Sequence, residues 1–436
     1  MDPIESVSGD SKLLQEFIKR YNKAKGVSDL WMALHQACYY YAIPSRNKYW
    51  KPREQQGDMR GARVYDTTAI EATKTFVSKL HTAMTPPQTQ WGFLTLDERW
   101  SEDNIEQREA AQGLLDDYMR KLFEFIHDSN FDVVINECYF DLAIGTSCLV
   151  CNSYTDEQPL LFTSVPMDTL SVEEAMTGKL ESWYRDWQDI KICELNIRWP
   201  KAKIPSYMRQ MMAEDPQAVV QLVYEGVMYK PKEKPGFPYC YMVCTAEAIL
   251  YYEYLEINPG IVWRFQKVNN DIYGRGPIMD ALPSIISLNE VARIELASAN
   301  LNVFRPYMAF SDAVFNPHTF KMQPMTVIPI APIGTNGQPP LIPLMDTSNP
   351  QFAQLTIADL RQQIRSLLFA DSPIPQDSVQ PATATELSIN NQMLAQKIGP
   401  LFSRLQQEFL YPLVQRVRHI LDKKGFQLIF DTVSEL

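Results

Sequence analysis

The sequence has no G-x-x-x-x-G-K-[ST] phosphate loop, no G-x-S-x-G and no H-E-x-x-H. These gaps remove the local signatures of a P-loop nucleotide hydrolase, a nucleophile elbow and a zinc peptidase. Gly274-Arg-Gly276 opens like a dinucleotide-binding turn, but Met279 stands where the third glycine belongs. Histidine is sparse: His35, His81, His127, His318 and His419 are scattered, as structural residues are. Seven cysteines in 436 residues make no even framework and fit a reducing compartment. No apolar run reaches the ~18 residues of a membrane span, and the acidic start, Met1 to Asp10, lacks an apolar signal core. The expectation is a soluble chain made in the cytoplasm, with no membrane partner and no cofactor.

Positive charge is also in deficit. Asp and Glu outnumber Lys and Arg by 52 to 41, a net charge of −11. A protein that wraps nucleic acid with its whole surface needs the opposite balance. A conduit that DNA crosses without sticking does not.

What chemistry remains is thin. Cys148-x-x-Cys151 with Cys240-x-x-x-Cys244 could offer four thiolates to zinc. Both pairs fall in predicted strands, where residues three apart face opposite ways, so buried free thiols are the better reading. Asp116-Asp117 and Glu173-Glu174 read as solvated carboxylates rather than acid–base pairs. Tyr39-Tyr-Tyr41 with Arg46, Lys48 and Lys51 could stack single-stranded nucleic acid; an interface between subunits fits it better.

The periodicity predicts a helix-rich α+β chain with room for about three domains. Helices are expected over Ser11–Lys25, ended by Gly26, and then after a Ser28 cap as far as Pro44. Residues 47 to 63 read as a basic loop. Further helices are expected from Asp66 to Pro86, over Ser101–Asp128 and over Phe131–Ile144 with Gly145 as the stop. Strands follow at 148–151, 160–163, 180–185, 219–229, 239–243, 249–254 and 261–267, with a helical insertion over 198–216.

Tyr273-Gly-Arg-Gly-Pro277 then leads into the stretch that organises the rest. Two glycines suggest a tight turn, and Pro283 predicts a break, leaving a helix from Ser284 to Asn302 of roughly 28 Å. Ile285, Leu288, Ala292, Leu296, Ala299 and Val303 form one stripe at three- and four-residue steps. Ile286 lies off it. A proline-dense module from about 304 to 348 follows, then a second helix, Asn349 to Asp371, with Leu360, Ile364 and Leu367 on its stripe. Residues 372 to 386 contain no Lys or Arg. A last helix is expected from Thr385 to Lys424, broken near Gly399-Pro400 and Pro412.

Several stretches, in order and spacing, carry a family resemblance. They are Val64-Tyr-Asp-Thr-Thr-Ala-Ile70, Pro86-Pro-Gln-Thr-Gln-Trp91, Phe140-Asp-Leu-Ala-Ile-Gly-Thr146, Phe162-Thr-Ser-Val-Pro166, Tyr273–Pro277, Thr383-Ala-Thr-Glu386 and Glu408-Phe-Leu-Tyr-Pro412. The chain resembles the portal proteins (head-to-tail connectors) of short-tailed bacteriophages.

That resemblance implies a portal fold and a homo-oligomeric ring, typically of about twelve subunits, at one capsid vertex. Double-stranded DNA would enter through its axis, driven by a separate terminase motor, and leave by the same route. The chain would be assembled in the bacterial cytoplasm and end in the virion, beside major capsid and scaffold proteins. Residues 1–275 would form a wing, helical over 1–146 and β-rich over 147–272. Residues 276–303 and 349–371 would be stem helices, meeting through Ile285, Leu288, Ala292, Leu296, Ile364 and Leu367. Residues 304–348 would be the clip, docking a tail adaptor and the terminase through Phe315, His318, Phe320 and Lys321. Residues 372–386 would be a tunnel loop, bringing Asp377, Ser378, Gln380, Thr383 and Glu386 to the DNA, and 387–436 would return through the wing toward a crown. The alternatives are a metal-dependent nuclease or hydrolase, and a monomeric tail-adaptor scaffold.

Overall fold

The structure, a computed structural model, describes residues 3–46, 61–96, 105–215, 217–303, 307–309, 341–343, 350–370, 399 and 402–425. The first helix, α1 (Pro3–Ala42), runs unbroken through Gly26 for 40 residues, about 60 Å. This corrects the two expected helices. Glycine costs a helix interior only about 1 kcal/mol, and contacts on both sides of Gly26 exceed that. Phe17 and Tyr21 pack on Tyr184 and Tyr224, while Cys38, Tyr39 and Ala42 are buried in the main core.

Helices α2 (Thr68–Met84), α3 (Ile105–His127) and α4 (Phe131–Ile144) follow as their spacing predicts. Asp66 Oδ1 accepts the Thr68 backbone N–H at the start of α2. Asn130 precedes α4 but does not cap it. Its amide instead mimics a strand, accepting from Phe162 N at 2.9 Å and donating to Phe162 O at 2.8 Å. It thereby occupies part of a sheet edge that would otherwise stand open.

Strands β1 (Thr146–Ser153), β2 (Leu160–Ser164), β3 (Leu170–Glu174) and β4 (Leu180–Lys191) lead to two short helices, α5 (Ile192–Arg198) and α6 (Ser206–Glu214). Strands β5 (Val219–Tyr229), β6 (Tyr239–Cys244), β7 (Ile249–Leu255) and β8 (Gly260–Arg264) complete the region. One antiparallel sheet has the order β2-β1-β8, the other β3-β4-β5-β6-β7. β3 was not expected, because Leu-Ser-Val-Glu-Glu ends in two carboxylates, which strands disfavour.

The larger sheet is covered on both faces: successive side chains point to opposite sides, and both sets are buried along β6. Tyr184, Met228, Cys240, Met242 and Cys244 face α1, whereas Trp183, Val223, Val227, Tyr241 and Val243 join the main core. Cys148 and Cys151 lie in that main core, away from Cys240 and Cys244 across the sheet, so the two pairs cannot share a metal. All four are free and buried. Burial pushes the Cys151, Cys240 and Cys244 thiols up to about 12.

Helix α7 (Pro277–Val303) contains Pro283 rather than starting after it. One missing N–H is a small loss beside the burial of Ile278, Ala281, Leu282 and Ile285 around it. Beyond α7, β9 (Tyr307–Ala309) pairs antiparallel with β10 (Leu341–Pro343), and α8 (Pro350–Leu367) follows. The C-terminal segment widens into a π turn at Gln406–Leu410 and continues directly as α9 (Tyr411–Lys423). Pro412 does not end the helix: the wider π turn just before it, closed by Tyr411 N–H on Gln406 O, carries the chain past a residue that has no N–H to give.

Candidate functional site

Helices α7 and α8 pack on each other, and the β9–β10 pairing joins their far ends, so they run antiparallel. At 27 and 18 residues they span about 40 Å and 27 Å. Their base is set by close backbone approach. A Cβ on Gly274 would stand 2.3 Å from Gly145 O, and one on Gly276 would stand 2.3 Å from Ala143 O. The two glycines are there to let α7 start against the end of α4, a purpose that the turn reading missed.

Of the expected stem-contact residues, Ile285, Leu288, Ala292 and Ile364 are buried, at 4%, 2%, 8% and 0% exposure. Leu296 and Leu367 are not, at 52% and 37%. The stripe is continuous in sequence, but the body of the chain covers only its lower part. Ile286, Ile294 and Leu355 add further exposed apolar surface on the same two helices, Leu355 at 71%. Phe369, just past the end of α8, packs on Phe76.

Polar clamps fix both helices to the body. Asn289 on α7 accepts from Tyr65 N at 2.7 Å and donates to Arg63 O at 3.1 Å. Arg361 on α8 bonds Asp66 Oδ2 through Nε at 3.0 Å and a terminal nitrogen at 2.7 Å. Burial would raise the Asp66 carboxyl, but the Thr68 hydrogen bonds and the Arg361 guanidinium outweigh it and hold it below the usual carboxylate range. Lys79 Nζ donates to Phe369 O at 3.0 Å, tying α2 to the end of α8. None of these clamp residues stands out in the sequence, since each is one polar residue whose partner is remote in the chain.

A second anchor lies at the π turn. Arg264, fully buried, donates to Glu408 through its backbone N (3.0 Å), Nε (3.3 Å) and a terminal nitrogen (2.8 Å). It also reaches Glu174, Gly178 O and Ile272 O. Beside it Trp263 stacks on Phe409, with centroids 4.4 Å apart. Glu173 and Glu174 are therefore not loose surface carboxylates: Glu173 pairs with Arg20, and Glu174 with Arg264 and Lys267. Tyr39 is likewise structural, donating to Asp141, which also pairs with Arg46. Lys48 and Lys51 lie outside the described residues, as do Asp377, Ser378, Gln380, Thr383 and Glu386 of the expected loop. So do Phe315, His318, Phe320 and Lys321 of the module between α7 and α8.

Among the described residues, no group of three or more His, Cys, Asp or Glu is placed to hold a metal. No helix is long and apolar enough to cross a membrane, again among the described residues.

The sequence profile of the family described as bacteriophage head to tail connecting protein matches residues 14–426. The chain belongs to that family. A member of it is a structural, non-enzymatic component of the phage particle, so the hydrolase alternative falls. Over 423 residues this connector chain is 20% identical to a protein described as a probable portal protein of Bordetella phage BPP-1, covering 91% of this chain and 72% of that one. It also shows a distant likeness, at 11% identity and a TM-score of 0.35, to a chain from the virion of a native gene transfer agent particle. That likeness covers 81% of this chain and 90% of the other. At that score it bears no weight.

Proposed function

We propose that this connector chain forms a closed portal ring of about twelve copies at one vertex of a short-tailed phage capsid. Its axial channel passes double-stranded DNA during packaging and ejection. The α7–α8 pairs surround the axis as stem helices, and residues 372–386 form the lip nearest the DNA. Residues 304–348 dock a terminase motor and a tail adaptor, while residues 1–275, the wing, meet the capsid and scaffold proteins. Residues 387–436 return through the wing toward a crown.

One observation carries the reading. Helices α7 and α8 are covered by their own chain only at the base, and they leave Leu296, Ile294 and Leu355 more than half exposed. An apolar stripe that continues past its own body calls for a neighbour, and in a head-to-tail ring the next copy supplies one. Native mass spectrometry and negative-stain images of the purified full chain test it. Rings with a central hole are expected, and Leu296→Asp with Leu355→Asp should abolish them while shifting subunit stability by no more than about 0.5 kcal/mol. A wild-type chain that stays monomeric at tens of micromolar refutes the ring.

A further inference from the structure

Arg185 and Trp187 lie two residues apart on β4 and so share one face of the larger sheet. The Arg185 guanidinium carbon sits 3.7 Å from the centroid of the Trp187 ring, and that of Arg198, at the end of α5, sits 4.3 Å from it. Two positive charges share one indole. Arg185 is only partly exposed, and its Nε is buried without a hydrogen-bond partner. Its cross-strand neighbour Glu225 would be the natural counter-ion. That carboxylate is already engaged, accepting from Trp187 Nε1 at 2.7 Å and from the Tyr241 hydroxyl at 2.8 Å. Tyr241 in turn accepts from Trp199 Nε1 at 2.9 Å. Burial draws the Arg185 guanidinium below its ordinary value, and the Arg198 charge adds to this against the pull of Glu225. A desolvated cation with unused donors is costly to keep unless an anion arrives. Stacking on an indole leaves the in-plane N–H edges of a guanidinium available for a carboxylate or phosphate.

We infer that Arg185, Trp187 and Arg198 receive a carboxylate from α3 of an adjacent copy of this chain, an interface that rests on the ring reading above. Charge complementarity selects the occupant. Glu109, Asp116 and Glu124 are exposed on α3, and none forms an ion pair among the described residues. Helix α3 packs chiefly on α4 and α9, whereas α5 packs chiefly on β4 and α6. The acidic helix and the arginine pair thus rest on different elements, and a heterologous ring joins two different surfaces of the subunit. A DNA phosphate fits less well, because Glu225 lies across from Arg185 and the site stands on other elements than α7 and α8.

The test uses the full chain, with ring formation read by native mass spectrometry and subunit melting by calorimetry below the assembly concentration. Arg198→Glu and Arg185→Met should each raise the half-assembly concentration about tenfold or more. Arg185→Met should leave subunit melting unchanged or raise it, since a half-buried cation with no ion pair among the described residues is removed. Reversing α3 with Glu109→Lys, Asp116→Lys and Glu124→Lys should weaken assembly alone and restore it in the Arg198→Glu background. The inference is overturned if the arginine variants assemble like the wild type, or if the α3 reversal fails to rescue Arg198→Glu. It is overturned equally if inorganic phosphate raises subunit melting in an Arg185-dependent way. Wild-type rings with unimpaired arginine variants sink this interface alone, whereas a wild-type chain that never forms rings sinks the ring reading with it.

Discussion

Removing the Glu408 carboxylate should expose how strongly the C-terminal segment is held to β8. Glu408 is 9% exposed at its side chain and accepts three hydrogen bonds from Arg264 and one from Arg404 at 3.0 Å. In Glu408→Ala the Arg264 guanidinium, 0% exposed, keeps Glu174 at 3.3 Å and two carbonyls, while its backbone N–H loses its acceptor. Breaking one side of a buried ion pair costs about 3–5 kcal/mol, much of it for the charge left behind. With about 2.1 cal/mol/K of unfolding entropy per residue, a chain of 436 residues melting as one unit would lose about 4 °C. The double variant Arg264→Met with Glu408→Ala removes both charges together and should recover a share of that loss. Calorimetry of the four proteins of the cycle gives the coupling directly. A Glu408→Ala shift under 1 °C, or losses that simply add in the double variant, would refute the account of this anchor.

Three other outcomes follow, two from the geometry and one from the proposed portal role. Burial raises the Asp141 carboxyl to about 6, against the pull of Arg46, and lowers His35 to about 4. The folded chain thus holds the Asp141 proton more tightly than the unfolded one, so that contribution is full below about 4 and is lost as pH rises through 6. His35 acts oppositely: its contribution is full above about 6.5 and is lost as pH falls through 4. Urea midpoints between pH 4 and 7 should therefore tilt upward with pH in Asp141→Asn and downward in His35→Phe, relative to wild type; parallel profiles would contradict both assignments. Gly276→Ala should cost several kcal/mol, because its Cβ would meet Ala143 O, whereas Gly113→Ala in α3, with open space around it, should gain up to about 1 kcal/mol. Equal denaturation midpoints for the two variants would contradict the close-approach argument. Finally, Asp377→Lys with Gln380→Lys should slow DNA packaging in an in vitro packaging assay, since added cations give phosphates a place to stick; unchanged packaging counts against a DNA-facing position for 372–386.

Local pattern determined much of this protein. The amphipathic spacing of α2, α3 and α4, the alternation of β5 to β7 and the stripe of α7 each depend on neighbours in sequence, so periodicity located them. Cys148, Cys151, Cys240 and Cys244 were readable as buried thiols for the same reason. Local signals also misled where tertiary contacts outweighed them. Gly26 and Pro283 carry helix-breaking penalties of one to a few kcal/mol, and burial of Phe17, Tyr39, Ile278 and Ile285 on either side exceeds those penalties. Long-range pairs were invisible in principle, because Asn289 meets Tyr65 across 224 residues and Arg264 meets Glu408 across 144. Charge in the sequence was a sum, −11 for the whole chain. Only the folded sheet decided that Arg185 would be held on Trp187 beside a carboxylate already engaged elsewhere, because proximity across strands is a property of register and not of composition.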